Sequence, residues 1–291
     1  FLGVGNGVVG TLGGGKAKLT GIIDIAVMQS LSRKGEISDQ VKNYGQIIVD
    51  ECHHLSAVSF EALLRSATAR YVLGLTATPV RRDGQQPIIF MQCGPIRHSA
   101  ARPANAPHDL SVVPRLLSKP IVVPDGFGIQ DVFRRLADDS ERTAKIVSEI
   151  ELAYNEGRKI LVLTERTEHV DALELELKQR VHNLFTLHGR VPKKQRLSRM
   201  HELESLPPDA PRVLLATGKL VGEGFDHPPL DTLVLAMPIS WKGILQQYAG
   251  RLHRSHADKA DVRVIDFVDE GNVALLRMWD KRQAGYKAMG Y

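Results

Sequence analysis

Cysteine is scarce in this chain: two residues in 291, Cys52 and Cys93. Two thiols cannot build a disulfide framework, which excludes a small cross-linked secreted scaffold and fits a reducing, cytoplasmic setting. Aromatic residues make up only 5%, too few to favour a surface that holds nucleic acid mainly by base stacking. No apolar run reaches the ~18 residues that a helical membrane span needs, so no membrane partner is expected. No signal-peptide pattern opens the chain, which starts with Phe1 and reads as the interior of a longer sequence. What is present is ordinary. Hydrophobic residues at 43% and charged residues at 24% are the balance of a globular protein, and the length predicts about two domains. The 38 Lys and Arg against 33 Asp and Glu leave a net +5, a mild pull towards a polyanionic partner.

Short apolar runs that end in polar or Gly-rich turns recur along the chain. They lie at 46–51, 71–78, 159–165, 184–189, 212–218, 231–238 and 263–269. Rich in Val, Ile and Leu and without polar alternation, they predict strands buried on both faces. Helical stretches between them predict an α/β fold with parallel sheets. In such sheets ligands bind at the carboxyl ends of the strands, where Asp50, Glu51, Thr76, Thr78 and Thr217 fall. Between 94 and 126 the pattern breaks and prolines gather, which predicts a connection of little regular structure. The expected division is therefore 1–99, a linker at 100–125, and 126–291, the last opening on a helical stretch at 129–156.

Several motifs carry chemistry. Asp50 and Glu51 at the tip of an apolar strand suit nucleotide hydrolysis: the Asp can hold Mg²⁺ and the Glu can polarise an attacking water. Thr76-Ala77-Thr78-Pro79 follows a second strand; its hydroxyls can couple the acidic pair to motion, and it reads equally as a turn stopped by proline. Thr217-Gly218 leads into Gly222-Glu223-Gly224-Phe225-Asp226, where glycines allow either close approach to a phosphate or a turn of positive φ. Gln247, Gly250, Arg251 and Arg254 share one face of a predicted helix, and guanidinium groups suit phosphate oxygens.

Two readings are set aside. Cys52, His53 and His54 are adjacent, a spacing that matches no common zinc site. Gly10–Lys16 has the glycine and lysine spacing of a phosphate loop, but Ala17 replaces the hydroxyl residue that binds Mg²⁺. A surface turn accounts for it better.

Taken in order, the motifs resemble those of superfamily 2 helicases of the DEAD/DEAH-box type, here with Asp50-Glu51-Cys52-His53 as the box. Thr76–Thr78 resembles motif III, residues 159–169 motif IV, 216–226 motif V, and Gln247–Arg254 motif VI; residues 26–31 resemble a backbone-contacting segment. The wording of the last two motifs is closest to XPB-like repair helicases and restriction-type DNA translocases. Arg81-Arg82-Asp83 departs from the Arg-Glu-Asp of the XPB group, so a duplex-opening role specific to that group is not carried over.

The resemblance implies two RecA-like parallel-sheet domains that clamp ATP with Mg²⁺, the first domain incomplete and lacking its phosphate-loop portion. It implies that Asp50 organises Mg²⁺, Glu51 acts as general base, and Arg251 and Arg254 reach the γ-phosphate while Gln247 senses the nucleotide. Thr76, Thr78, Gly224 and Asp226 would contact ATP or couple the domains. Strand contacts are expected at Gln29, Ser30, Arg81, Thr164, Arg166, His188 and Thr217, with DNA favoured over RNA. Further expected partners are the missing N-terminal segment of the same chain and a nuclease or other defence or repair protein. Two alternatives stand beside an ATP-driven motor: a nucleic-acid-binding module without hydrolysis, and the motor subunit of a restriction complex.

Overall fold

The structure is a computed structural model. It describes residues 3–5, 7–33, 36–54, 57–76, 86–100, 107, 109–121, 128–218, 225–239, 242–253, 256 and 259–291. The chain divides into two units, Phe1–Ala100 and Ala101–Tyr291.

In the first unit, β1 (Val9–Gly13) pairs antiparallel with β2 (Lys16–Lys18) and parallel with β3 (Ile23–Ala26). Gly13 and Lys16 are register partners, so Gly14 and Gly15 form a two-residue hairpin loop. Both have positive φ, +59° and +81°, as a hairpin turn of the primed type requires. The glycine-rich run is thus a hairpin, not a strand-to-helix phosphate loop. A short pair, β4 (Ser32–Arg33) and β5 (Glu36–Ile37), follows. Then β6 (Gln46–Val49) and β7 (Tyr71–Gly74) run parallel, with Ile48 opposite Leu73.

One face of β6 and β7 packs Ile47, Val49 and Val72 towards Val41, Leu63 and Leu64. The other face is uncovered: Ile48 is 57% exposed and Tyr71 58%. These two strands were expected to be buried on both faces, and they are covered on one. The second run is strand over Tyr71–Gly74.

The second unit is a six-stranded parallel sheet in the order β10-β11-β9-β12-β13-β8. Its strands are β8 (Asp109–Leu117), β9 (Lys159–Thr164), β10 (Leu184–Leu187), β11 (Arg212–Thr217), β12 (Thr232–Leu235) and β13 (Asp261–Asp269). Successive residues alternate between two covered faces. Ile160, Val162, Val213, Leu215 and Phe267 meet the helices Ser140–Asn155 and Thr167–Leu177. Leu161, Leu163, Leu214, Leu233 and Val264 meet the helix Lys242–Leu252 through Leu245, Tyr248, Ala249 and Leu252. Each such buried side chain contributes about 1.5–3 kcal/mol before entropy is counted.

Two buried ion pairs pin the far end of β13. Arg142 donates to both oxygens of Asp269 and to Ala236 O. Arg282 donates to both oxygens of Asp266 and to Ile239 O, and Tyr286 donates to Asp266 as well.

The stretch 100–125, expected to lack regular structure, contains β8, which pairs with β13 over nine residues. Pro114 sits inside it, opposite Asp266. An edge strand tolerates a residue without an N–H donor where a central strand does not. The helical stretch 129–156 is two helices, Ile129–Asp138 and Ser140–Asn155. Asp139 separates them and caps the second, accepting from Glu141 N and Arg142 N.

Candidate nucleotide and nucleic-acid site

In the first unit, the backbone leaves β6 at Val49 and turns at once. Glu51 has φ +47°, a left-handed value uncommon for a residue with a side chain. Asp50 holds it there, its Oδ1 accepting from Glu51 N at 2.9 Å. Beyond β7 the ladder continues: Leu75 N donates to Val49 O at 2.8 Å and Cys52 N to Leu75 O at 3.0 Å. Thr76 is thereby carried beside the acidic turn.

His53 completes the arrangement. Its ring is buried, with Nδ1 2.7 Å from Thr76 Oγ1 and 3.2 Å from Glu51 Oε2. One imidazole therefore stands between the carboxylate of Glu51 and the hydroxyl of Thr76. Asp50 is exposed on the rim. The sulfurs of Cys52 and Cys93 both pack against Gly74. Burial pushes the Cys52 thiol up, and burial with Cys52 nearby pushes Cys93 up to about 11. Both are therefore held as thiols rather than as activated thiolate nucleophiles. Gln29 and Ser30 are exposed on the short helix Met28–Leu31 of the same unit.

In the second unit, β9 and β11 end together, with Thr164 the register partner of Thr217. His188 follows β10, the next strand over. Three expected strand contacts thus share one sheet edge, but two of them turn inward. Thr164 is buried, its Oγ1 3.0 Å from His169 Nδ1. His188 is also buried, accepting from Arg190 N at 3.3 Å with its Nε2 facing Asp171 at 3.7 Å. Thr217 and Arg166 are half-buried. Arg166 donates to Gln130 O at 2.8 Å, which ties it to the helix Ile129–Asp138.

Gly218, next along β11, is packed against two side chains: a methyl group there would collide with the Tyr248 hydroxyl and meet Glu165 Oε1 at 2.9 Å. No sequence signal singled out Glu165 or Tyr248; their meeting at Gly218 depends on the sheet order. On the helix Lys242–Leu252, Leu245, Tyr248, Ala249 and Leu252 are buried, while Gln247, Gly250 and Arg251 are half-buried. The spacing of i, i+3, i+4 and i+7 explains that division of faces. Asp226 is exposed, immediately before the buried His227. Thr78, Arg81, Gly224 and Arg254 lie outside the described residues.

Parallel strands with acidic and hydroxyl residues at their carboxyl ends, covered by helices on both faces in the second unit, define a RecA-like α/β fold. Comparison with known proteins agrees. Residues 7–81 match the family described as type III restriction enzyme, res subunit, and residues 142–256 match the helicase conserved C-terminal domain. A protein described as a helicase in Escherichia phage T5 is 28% identical over 288 residues, 97% of this chain and 61% of that one. A DNA 3'-5' translocase of the XPB type from Sulfurisphaera tokodaii is 34% identical over 87 residues, 30% of this chain and 19% of that one. A fragment structure described as an HsdR subunit of a type I restriction enzyme from Vibrio vulnificus shares the fold, with TM-score 0.65, 21% identity, and coverage of 94% of this chain and 52% of that one. The two matched domains and these relatives support a superfamily 2 helicase of the XPB-like and restriction-type branch. The chain spans less than two thirds of the length of the phage relative. Among the described residues, no helix is long and apolar enough to cross a membrane.

Proposed function

We propose that the chain is part of an ATP-dependent DNA translocase in which hydrolysis drives movement along a strand. The acidic turn carries this reading: Asp50 and Glu51 at the end of β6, with His53 linking Glu51 to Thr76 at the end of β7. Asp50 is an exposed carboxylate that suits a Mg²⁺ ion keeping most of its waters. Among the described residues no group of three or more His, Cys, Asp and Glu could enclose an ion, so Asp50 is the protein ligand that the acidic turn would offer. ATP, when bound with Mg²⁺, supplies the phosphoryl group and the charge that the arginines meet. Glu51 would accept a proton from the attacking water, Thr76 and Thr78 would couple that turn to motion, and Gly224 and Asp226 would contact the nucleotide or couple the domains. Gln247, Arg251 and Arg254 are the groups that the motif resemblance would assign to the phosphates.

Strand contacts come from Gln29, Ser30, Arg81, Arg166 and Thr217. Thr164 and His188 shape their sheet edge from within. The hairpin at 10–16 is not a strand-to-helix phosphate loop, and the exposed apolar side chains Ile48 and Leu73 on β6 and β7 support a further layer that carries one. The XPB-type relative, described as a DNA translocase, supports DNA over RNA. The restriction-subunit match over 7–81 supports a second reading, a motor that works beside a nuclease.

Arg254→Ala in the full-length protein tests the assignment. DNA-stimulated ATP turnover should fall by about 10³-fold or more, while DNA binding stays salt-dependent and tolerant of sequence. Turnover near the wild-type rate would remove Arg254 from the site. DNA binding by a wild-type protein that hydrolyses no ATP would favour the non-hydrolysing module.

A further inference from the structure

The amine of Lys259 lies between two segments of the proposed nucleotide site. Its Nζ donates to Leu252 O at 2.8 Å and to Pro228 O at 2.6 Å. Leu252 ends the helix Lys242–Leu252, so its carbonyl is one of those a helix leaves without an internal partner. A cation at that end also meets the negative pole of the helix. Pro228 stands two residues after Asp226. In sequence, His256-Ala-Asp-Lys259-Ala-Asp261 looks like an ordinary charged turn; the bridge exists only in the fold.

We propose that Lys259 is a positioning residue whose ammonium clamps the end of the helix bearing Gln247 and Arg251 to the segment bearing Asp226. The clamp fixes the spacing of those three groups, and the inference rests on the nucleotide-site reading of them.

Charge at this point opposes the fold. Burial pulls the Lys259 amine down to about 8; Asp231 and Asp226 favour the charged form, and Lys159 works against it. His227 is close by and is held neutral, its pKa lowered to about 4 by burial and then by Arg212. An amine whose pKa falls on folding is less stable charged in the fold than in water. An uncharged side chain of similar length removes that desolvation cost together with the two hydrogen bonds, so the two effects offset in stability. Lys259→Met should therefore leave the fold about as stable as before, while removing both donors of the clamp.

The test uses the full-length protein with Lys259, Met and Arg at this position. For Lys259→Met we expect a little-changed Tm, amide exchange at 249–253 faster by about tenfold, and a KM for ATP raised by about tenfold with kcat little changed, the scale of one lost charge-assisted hydrogen bond. Arg should recover part of both effects. The wild-type affinity for ATP should also fall as pH rises through about 8, and the Met variant should lack that limb. Unchanged amide exchange overturns the clamp. Faster exchange with an unchanged KM overturns the positioning role, and a large drop in Tm overturns it in favour of a structural one. A wild-type protein without any ATP turnover condemns the nucleotide reading instead, and the exchange measurement still decides the clamp.

Discussion

The His53 imidazole and the Thr76 hydroxyl, 23 residues apart in the chain, lie 2.7 Å apart at the ends of neighbouring parallel strands. The same ring nitrogen is 3.2 Å from Glu51 Oε2. A shift of either strand end therefore changes the surroundings of the carboxylate assigned to proton transfer. If this contact is a true coupling, His53→Ala and Thr76→Ala should be non-additive. A double-mutant cycle in urea unfolding should give an interaction of about 1–2 kcal/mol. Additive losses would show that the two side chains are merely adjacent.

Stability should depend on pH through two buried imidazoles in the second unit. Burial holds His169 at about 3, with Arg142 adding to the effect, and His227 at about 4, with Arg212 adding most after burial. Both folded values lie below the ordinary 6.5. The unfolded chain thus takes up protons at a pH where the folded chain does not. The stabilisation is complete above about 6.5 and is lost as pH falls through that value towards the folded pKa values. Urea unfolding at about pH 4.5 should show a loss on the order of 2–3 kcal/mol per imidazole against pH 7. His227→Gln should remove its share of the slope; an identical slope would assign the acid sensitivity elsewhere.

Arg282 and Asp266 form a fully buried pair whose acceptors include Ile239 O. Burial pushes the Asp266 carboxyl up, and Arg282 works against that rise. Arg282→Ala strands a carboxylate in the core and should cost about 3–5 kcal/mol. Arg282→Met with Asp266→Leu should recover much of that loss, since a packed apolar pair replaces an ion pair at little net cost. Thermal unfolding decides; equal losses in both variants would contradict the stranded-charge explanation.

Gly218 has no room for a methyl group because the Tyr248 hydroxyl fills that space. Gly218→Ala should destabilise by about 1–3 kcal/mol. Adding Tyr248→Phe removes the nearest atom and should restore part of the loss. A Gly218→Ala protein as stable as wild type would mean that Tyr248 swings away freely.

Much of the second unit was legible in the sequence because its strands are buried on both faces. Lys159–Thr164 and Arg212–Thr217 carry unbroken apolar runs, and their ends mark the sheet edge where Thr164 and Thr217 pair. The strand Asp109–Leu117 was hidden because Pro114 and its neighbours imitate a linker; an edge position accommodates them. At Val9–Lys18 the glycines were readable as a surface turn and not as a phosphate loop, but nothing in the flanking residues marked that turn as the loop of a hairpin. Ile48 and Tyr71 show a different limit, since apolar character alone does not say whether a face is covered. At the candidate site, the acidic turn was readable as two adjacent carboxylates after a strand. The inward turn of Thr164 and His188, the packing of Tyr248 on Gly218, and the bridge made by Lys259 all depend on side chains that only the folded sheet brings together.

The central claim is that Glu51 serves a nucleic-acid-stimulated ATPase. Its most direct test is steady-state ATP hydrolysis by the full-length protein, with and without DNA, for wild type and Glu51→Gln. The account predicts DNA-stimulated turnover in the wild type and a loss of about 10²–10⁴-fold in the variant, with ATP binding retained. Equal turnover in the two proteins would contradict it.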